Sequence, residues 1–273
     1  HRGPDDEGFY FHKNVGLGHR RLSILDLSEL GTQPMHYASR YTITYNGEVY
    51  NYIEIREVLK GKGYTFKSET DTEVILAAYQ EWGEGCVNHF NGMWAFAIHD
   101  RHKNELFISR DRFGVKPLHY YENETNFLFS SEIRQILTLV PERSVNKEML
   151  FDYLYLGYHH HTNKTFFDKI LSLDPGHNLT YDLNRGSYII SKWYELKFHN
   201  EFSSLSFEEA QQLFESTLDN AIRLRLRSDV RVGTCLSGGL DSSYIATVAA
   251  NIYNSTASEK FRAITAKSIE KEN

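Results

Sequence analysis

Cys235-Leu236-Ser237-Gly238-Gly239-Leu240-Asp241-Ser242-Ser243 carries the strongest local signal in this chain. Ahead of it, Val230, Val232, Gly233 and Thr234 are apolar and β-leaning, which predicts a buried strand running into Cys235 as an inert packing residue. Behind it, Leu240, Tyr244, Ile245, Val248 and Ile252 recur at helical spacing. The order is therefore strand, Ser-Gly-Gly loop, helix. Such a connection aims backbone N–H groups and a helix N-terminus at one point, which suits a phosphate. Gly238 and Gly239 allow a close backbone approach. Ser237, Ser242 and Ser243 add hydroxyl donors, and Asp241 is placed to hold a magnesium ion on the phosphates. No Lys follows the glycines as a Walker A loop demands, and the dinucleotide fingerprint G-x-G-x-x-G is absent. An ordinary turn rarely concentrates three hydroxyls, two glycines and one acid.

Composition sets the frame around this loop. The chain has 273 residues, enough for two domains, with 41% hydrophobic and 24% charged residues as in a globular protein. A net charge of −6 argues against a nucleic-acid-binding surface. No apolar run approaches the length of a membrane span, and no signal peptide stands at the start, so a cytoplasmic home is expected. Two cysteines, Cys86 and Cys235, make no disulfide framework. Both ends read as cut: the chain opens on His1-Arg2-Gly3-Pro4-Asp5 and stops at Lys271-Glu272-Asn273, just after the apolar stretch Phe261 to Ala266.

Residues 1 to about 190 are dense in short β-patterns. Tyr41, Ile43 and Tyr45 alternate with Thr42 and Thr44, which predicts a half-buried strand. Met93 to His99, Glu105 to Ser109, His119 to Tyr121 and Phe127 to Phe129 predict more strands, with polar turns at 100–104 and 122–126. A helix is expected from Tyr52 to Leu59, and another bears Val74, Ile75, Ala78, Tyr79 and Trp82, opened by a Thr70-x-x-Glu73 capping box. The pattern is that of a layered α+β domain. Ser206-x-x-Glu209 then opens a long helix that leads into the glycine loop. The domain boundary is expected near residue 195.

The front half also holds groups suited to an amino acid. Arg21 can grip a carboxylate with its fork, Asp71 can receive an α-ammonium, and Asn46 with the Gly47 N–H can form an oxyanion hole for acyl transfer. Each has a plainer reading alone: a surface ion-pair residue, a first-turn helix acid, a simple Asn-Gly turn. The run Tyr158-His159-His160-His161 reads as a loop rather than a metal tract, because three consecutive residues do not converge on one ion without special backbone. The aromatic runs 151–155 and 127–129 read as core.

Taken together, these segments resemble a known family. Ser237-Gly238-Gly239-Leu240-Asp241-Ser242 matches the SGG-x-DS motif of the pyrophosphatase loop (PP-loop), found in enzymes that cleave ATP between its α- and β-phosphates. His1 to Asp5 matches HRGPD, Arg21-Leu22-Ser23-Ile24 matches RLSI, and Gly31-x-Gln33-Pro34 follows. Asn46-Gly47-Glu48-Val49-Tyr50-Asn51, Thr70-Asp71-x-Glu73, Asn91 to Phe96 and Arg110 to Leu118 also fit, in order. Nearly the whole chain is similar to asparagine synthetase (glutamine-hydrolysing), a class II glutamine amidotransferase. The resemblance implies an α+β N-terminal-nucleophile (Ntn) hydrolase-like glutaminase domain over 1–195. It implies the start of an α/β PP-loop domain, adenine nucleotide α-hydrolase-like, over 196–273. Glutamine is expected at Arg21, Leu22, Ile24, Asn46, Gly47, Glu48 and Asp71. ATP is expected at Leu236, Ser237, Gly238, Gly239, Asp241, Ser242, Ser243 and Ile264, with Mg2+ on Asp241 and aspartate as the acceptor.

The implied nucleophile is an N-terminal cysteine whose own amine is the base, whereas residue 1 here is His. Missing N-terminal sequence explains this better than a lost site, because the pocket residues are retained. The resemblance leaves room for a homodimer. Two alternatives stand beside the leading reading. One is an amidotransferase acting on another carboxylate, such as a polysaccharide or antibiotic precursor, including a β-lactam-forming relative without glutaminase chemistry. The other is a non-catalytic member used as a binding module.

Overall fold

The computed structural model describes residues 2–140, 143–198, 200–256 and 259–266. His1 and Lys271 to Asn273, which the sequence motifs and chain ends brought in above, lie outside the described residues. The chain divides into two compact units, His1–Ser23 with Ser28–Leu196, and Ile24–Leu27 with the chain from Lys197 onward.

The first unit begins with a hairpin, β1 (Asp6–His12) and β2 (Val15–Arg21). Then come β3 (Met35–Tyr37), β4 (Tyr41–Val49), α1 (Tyr52–Gly61), α2 (Asp71–Trp82), β5 (Gly92–Asp100) and β6 (Glu105–Arg110). β7 (His119–Glu122), β8 (Phe127–Ser130), α3 (Ile133–Leu137), α4 (Lys147–Phe151), β9 (Ile170–Ser172), β10 (His177–Asp182) and β11 (Ser187–Lys192) complete it. An antiparallel sheet of order β11-β10-β6-β5-β4-β3 forms the middle layer. On one face, Ile55 and Leu59 of α1 and Val74 to Tyr79 of α2 pack on Tyr41, Ile43, Tyr45, Phe96, Ile98 and Phe107. On the other, Val15 and Leu17 of the hairpin and Leu118, Tyr120 and Leu173 pack on Ala95, Ala97, Leu106 and Ile108. Each large side chain buried this way contributes about 1.5–3 kcal/mol relative to exposure.

Burial on both faces corrects one expectation. β4 is not half-buried: Thr42 is 2% exposed, and Thr44 donates its hydroxyl to the Gly18 carbonyl of β2 at 3.2 Å. The β1–β2 hairpin, which the sequence patterns do not announce, covers that face. The capping box at α2 is half made. Thr70 accepts the Glu73 N–H at 3.2 Å, but the Glu73 carboxylate accepts from the N–H groups of Lys67 and Ser68 instead of turning back to Thr70. Among the aromatic runs, Phe127 and Phe129 pack against the core, whereas Phe151 and Tyr155 are exposed at 59% and 77%. Phe151 ends α4, and Tyr155 lies in the π-helical turn that follows, Asp152–Leu156, which has no buried residue.

The second unit contains α5 (Phe207–Arg225), β12 (Gly233–Cys235), α6 (Leu240–Thr256) and β13 (Arg262–Ile264). The capping box at Ser206 and Glu209 is complete. β12 and β13 pair in parallel, with Cys235 beside Ile264. Cys235 is exposed rather than packed inside, since a two-stranded pair cannot cover both its faces. Among the described residues no helix is long and apolar enough to cross a membrane.

Candidate active site

β4 is the spine of the first candidate site. Side chains alternate along it, so Tyr45 and Val49 join the helix-side core while Asn46 lies opposite Ala95, on the other face. Gly47 sits opposite Trp94. A Cβ there would stand 2.2 Å from the Met93 carbonyl oxygen and 2.8 Å from the Trp94 Cα, so only glycine allows this pairing.

Asp71 enters from the first turn of α2 and is 5% exposed. Its Oδ2 accepts from the Tyr45 hydroxyl and the Val49 N–H, each at 2.8 Å. Gln33 fastens the same corner, accepting the Tyr45 N–H at 2.7 Å and donating to Thr72 Oγ1 at 3.4 Å. Burial pushes the Asp71 carboxyl up, against those hydrogen bonds. Glu48 is pushed up to about 7, by burial first and then by the Asp71 charge, with Lys116 opposing. The corner thus sets two desolvated carboxyls near each other, the Asp71 charge raising Glu48 further.

Lys116 is carried by a loop that the sequence motif did not explain. Asp111 is 1% exposed, and its carboxylate accepts the N–H groups of Trp94, Phe113, Val115 and Lys116. Arg110 donates to the carbonyls of Gly114, Lys116 and Leu173. The Asn51 side chain similarly joins two motifs, donating to the His89 carbonyl at 2.9 Å and accepting the Asn91 N–H at 2.7 Å.

The remaining candidates are placed unevenly. Arg21 ends β2, is 7% exposed, and donates from Nη1 to the Ser28 carbonyl at 2.9 Å, which closes the loop 22–28. Leu22 is 58% exposed. Ile24 belongs to the second unit, where its carbonyl accepts the Asp229 N–H at 3.0 Å. Asn46 donates from Nδ2 to Ser131 Oγ at 3.3 Å. Ser131 is not among the residues the sequence singles out, since a lone serine after a strand carries no pattern. Cys86 is fully buried and its thiol is pushed well up, which leaves it unreactive. His161 pairs with Asp152 at 2.9 Å in the histidine run.

In the second unit the glycine loop stands between β12 and α6. Gly238 has φ +86°, and nothing lies within 4 Å of where a Cβ would be, so the space over the loop backbone is open. Behind it stand the 17 residues of α6, whose first N–H groups lack intrahelical acceptors. The serine hydroxyls are not all free donors as expected. Ser242 and Ser243 donate to the Gly239 carbonyl at 3.1 and 2.8 Å, and the Ser237 and Ser242 hydroxyls meet at 3.0 Å. Asp241 is exposed in the first helical turn. Leu236 donates its N–H to the Ile264 carbonyl at 2.8 Å, and the Ile264 side chain is 72% exposed beside the loop. An open, glycine-lined helix start has room for a polyphosphate, and Asp241 is the exposed acid beside it.

Known proteins share this arrangement of sequence. The glutamine amidotransferase domain family matches residues 1–194, and the asparagine synthase family matches residues 213–272. A Methanocaldococcus jannaschii protein assigned as asparagine synthetase (glutamine-hydrolyzing) 2 is 40% identical over 272 residues, covering 91% of this chain and 51% of that protein. Asparagine synthetase (glutamine-hydrolyzing) 3 of Bacillus subtilis is 39% identical, covering 91% of this chain and 40% of its own length. Amidase chry2 of Gibberella zeae is 34% identical, covering 92% and 37%. The chain spans about half the length or less of these curated relatives. The first unit is an Ntn hydrolase-like glutaminase fold and the second carries the strand, loop and helix of a PP-loop domain. With both family matches in order along one sequence, this chain belongs to the glutamine-hydrolysing asparagine synthetase family of class II glutamine amidotransferases.

Proposed function

We propose that this chain belongs to an enzyme that hydrolyses glutamine for its amide nitrogen and passes the ammonia to an aspartate side chain activated by ATP. The observation that carries this reading is the corner formed by Asp71 and Glu48 next to Asn46 and Gly47. A buried carboxyl with a half-buried one beside it suits the α-ammonium of an amino acid. Arg21 has the fork to take the substrate carboxylate. The Asn46 amide and the Gly47 N–H are the neutral donors for the oxyanion.

In this reading the thiolate of an N-terminal cysteine attacks the amide carbon, with its own amine taking the thiol proton. Collapse of the oxyanion breaks the C–N bond as the protonated α-amine returns its proton to the leaving nitrogen, which departs as ammonia. Water then hydrolyses the thioester to glutamate. In the second unit, the N–H groups at the start of α6 and the Gly238-Gly239 backbone hold the ATP phosphates, and Ile264 borders the nucleotide. Bound Mg2+ supplies charge neutralisation on the departing pyrophosphate, with Asp241 as its protein ligand. The aspartate carboxylate takes the adenylyl group, and ammonia displaces AMP to leave the amide.

The test is product analysis on the full-length protein. Glutamate should form from glutamine, and AMP with pyrophosphate should form only when aspartate is present. Pyrophosphate release with another carboxylic acid and none with aspartate would transfer the reading to a different acceptor. Glutamine binding without any turnover would make the chain a binding module. We further propose a cytoplasmic site of action, because the substrates are metabolites and ATP.

A further inference from the structure

We propose that Ser131 is a positioning residue for the glutaminase step, holding the Asn46 amide so that its N–H faces the developing oxyanion. The inference rests on the reading of Asn46 as an oxyanion donor. A terminal amide turns about a broad, two-fold torsion. If it flips, its carbonyl oxygen faces the oxyanion and attraction becomes repulsion. Asn46 projects from β4 on the face lined by Ala95, a side chain too short and apolar to fix an amide. The Ser131 hydroxyl, 3.3 Å from Asn46 Nδ2, is the group that does. One of the two amide hydrogens is spent on Ser131, and the other remains for the substrate.

Both chain neighbours of Ser131 are held in place. It lies between the end of β8 and the start of α3. Ser130 Oγ donates to the Glu132 carbonyl at 2.7 Å, which shapes the corner. The Glu132 carboxylate pairs with Arg2 and Arg134, each at 2.5 Å. Arg2 belongs to a segment tied down in turn, since Arg20 Nε donates to the Gly3 carbonyl at 3.2 Å. Arg2 therefore acts at a distance, through Glu132, on the serine that orients Asn46.

The experiment uses the full-length protein and compares Ser131→Ala, Ser131→Thr, Asn46→Ala and the double variant. Ser131→Ala should lower kcat for glutamine hydrolysis about tenfold with KM nearly unchanged, as loss of one orienting hydrogen bond implies. Ser131→Thr, which keeps the hydroxyl, should restore kcat. Ammonia-dependent synthesis and the unfolding temperature should not move. Asn46→Ala should lower kcat about 10²–10³-fold, and adding Ser131→Ala to it should cost nothing further. Full activity in Ser131→Ala beside a crippled Asn46→Ala would overturn the inference while leaving the oxyanion reading intact. Multiplying effects in the double variant, or a joint fall in stability and ammonia-dependent synthesis, would overturn it as well. An Asn46→Ala variant with normal kcat would remove the oxyanion reading and this inference together.

Discussion

Asp71 and Asp241 both stand in the first turn of a helix, and both are read as holding a charge on a substrate. Their surroundings differ completely. Asp71 is buried and its Oδ2 bolts α2 to β4 through Tyr45 and Val49. Asp241 is exposed, at the head of a loop made by one strand, two glycines and one helix. An acid in the same local position is a fold element in one unit, besides the ligand role proposed for it, and has only the proposed ligand role in the other. Substitutions should therefore couple stability to activity in the first unit and separate them in the second.

The sharpest break in that comparison comes from Asp241→Asn in the full-length protein. The amide is nearly isosteric but a poor ligand for a hard dication, so aspartate-dependent pyrophosphate release should fall about 10²-fold or more. The unfolding temperature and glutaminase activity should persist. Normal pyrophosphate release would take Asp241 out of the metal site, and lost stability would make it a helix cap. Asp71→Ala should behave oppositely. Two buried donors, the Tyr45 hydroxyl and the Val49 N–H, lose their acceptor, and denaturant unfolding should show a loss of about 2–4 kcal/mol. Glutamine hydrolysis should fall with it. Unchanged stability would mean that water replaces the carboxylate there.

Arg21→Ala sits between these cases. Losing the fork should raise KM for glutamine about tenfold or more, and losing the Ser28 contact should cost about 1–2 kcal/mol of stability. Ammonia-dependent synthesis should remain nearly intact. An equal fall in both activities would make Arg21 a purely structural residue. The smallest effect belongs to Glu48, whose folded-state value of about 7 lies above its ordinary 4.5. The protonated form is favoured in the fold, so this contribution is fully present below about pH 4.5 and fades as pH rises through about 7. Glu48→Gln should flatten the pH dependence of the unfolding temperature between about pH 5 and pH 8 and stand above the parent at the upper end. In the parent, KM for glutamine should fall over the same rise, as the ionised acid attracts the ammonium. A pH-independent KM would show that Asp71 alone receives it.

Features written in a few consecutive residues are legible in the sequence alone. The complete capping box at Ser206 and Glu209, the strand, loop and helix around Gly238, and the strands through Ile43, Ile98 and Phe107 all depend on local spacing. Thr70-x-x-Glu73 shows where that ends. Its first half is local and formed, while Glu73 is captured by Lys67 and Ser68 because a buried carboxylate takes whichever N–H groups the packed loop offers.

The sequence by itself determined the motif order, the two-unit plan and the chemistry of the candidate residues, because glycines, caps and apolar periods act through bonds and near neighbours. Only the tertiary structure decided which of those residues are buried. It turned Asp111 from a motif letter into the acceptor of four N–H groups. It left Cys235 and the aromatic side chains of 151 and 155 exposed where apolar character predicted core. It also brought Ser131 to Asn46 across 85 residues of chain. Burial and long-range partners depend on what packs on the far face of an element, and no window of sequence contains that information.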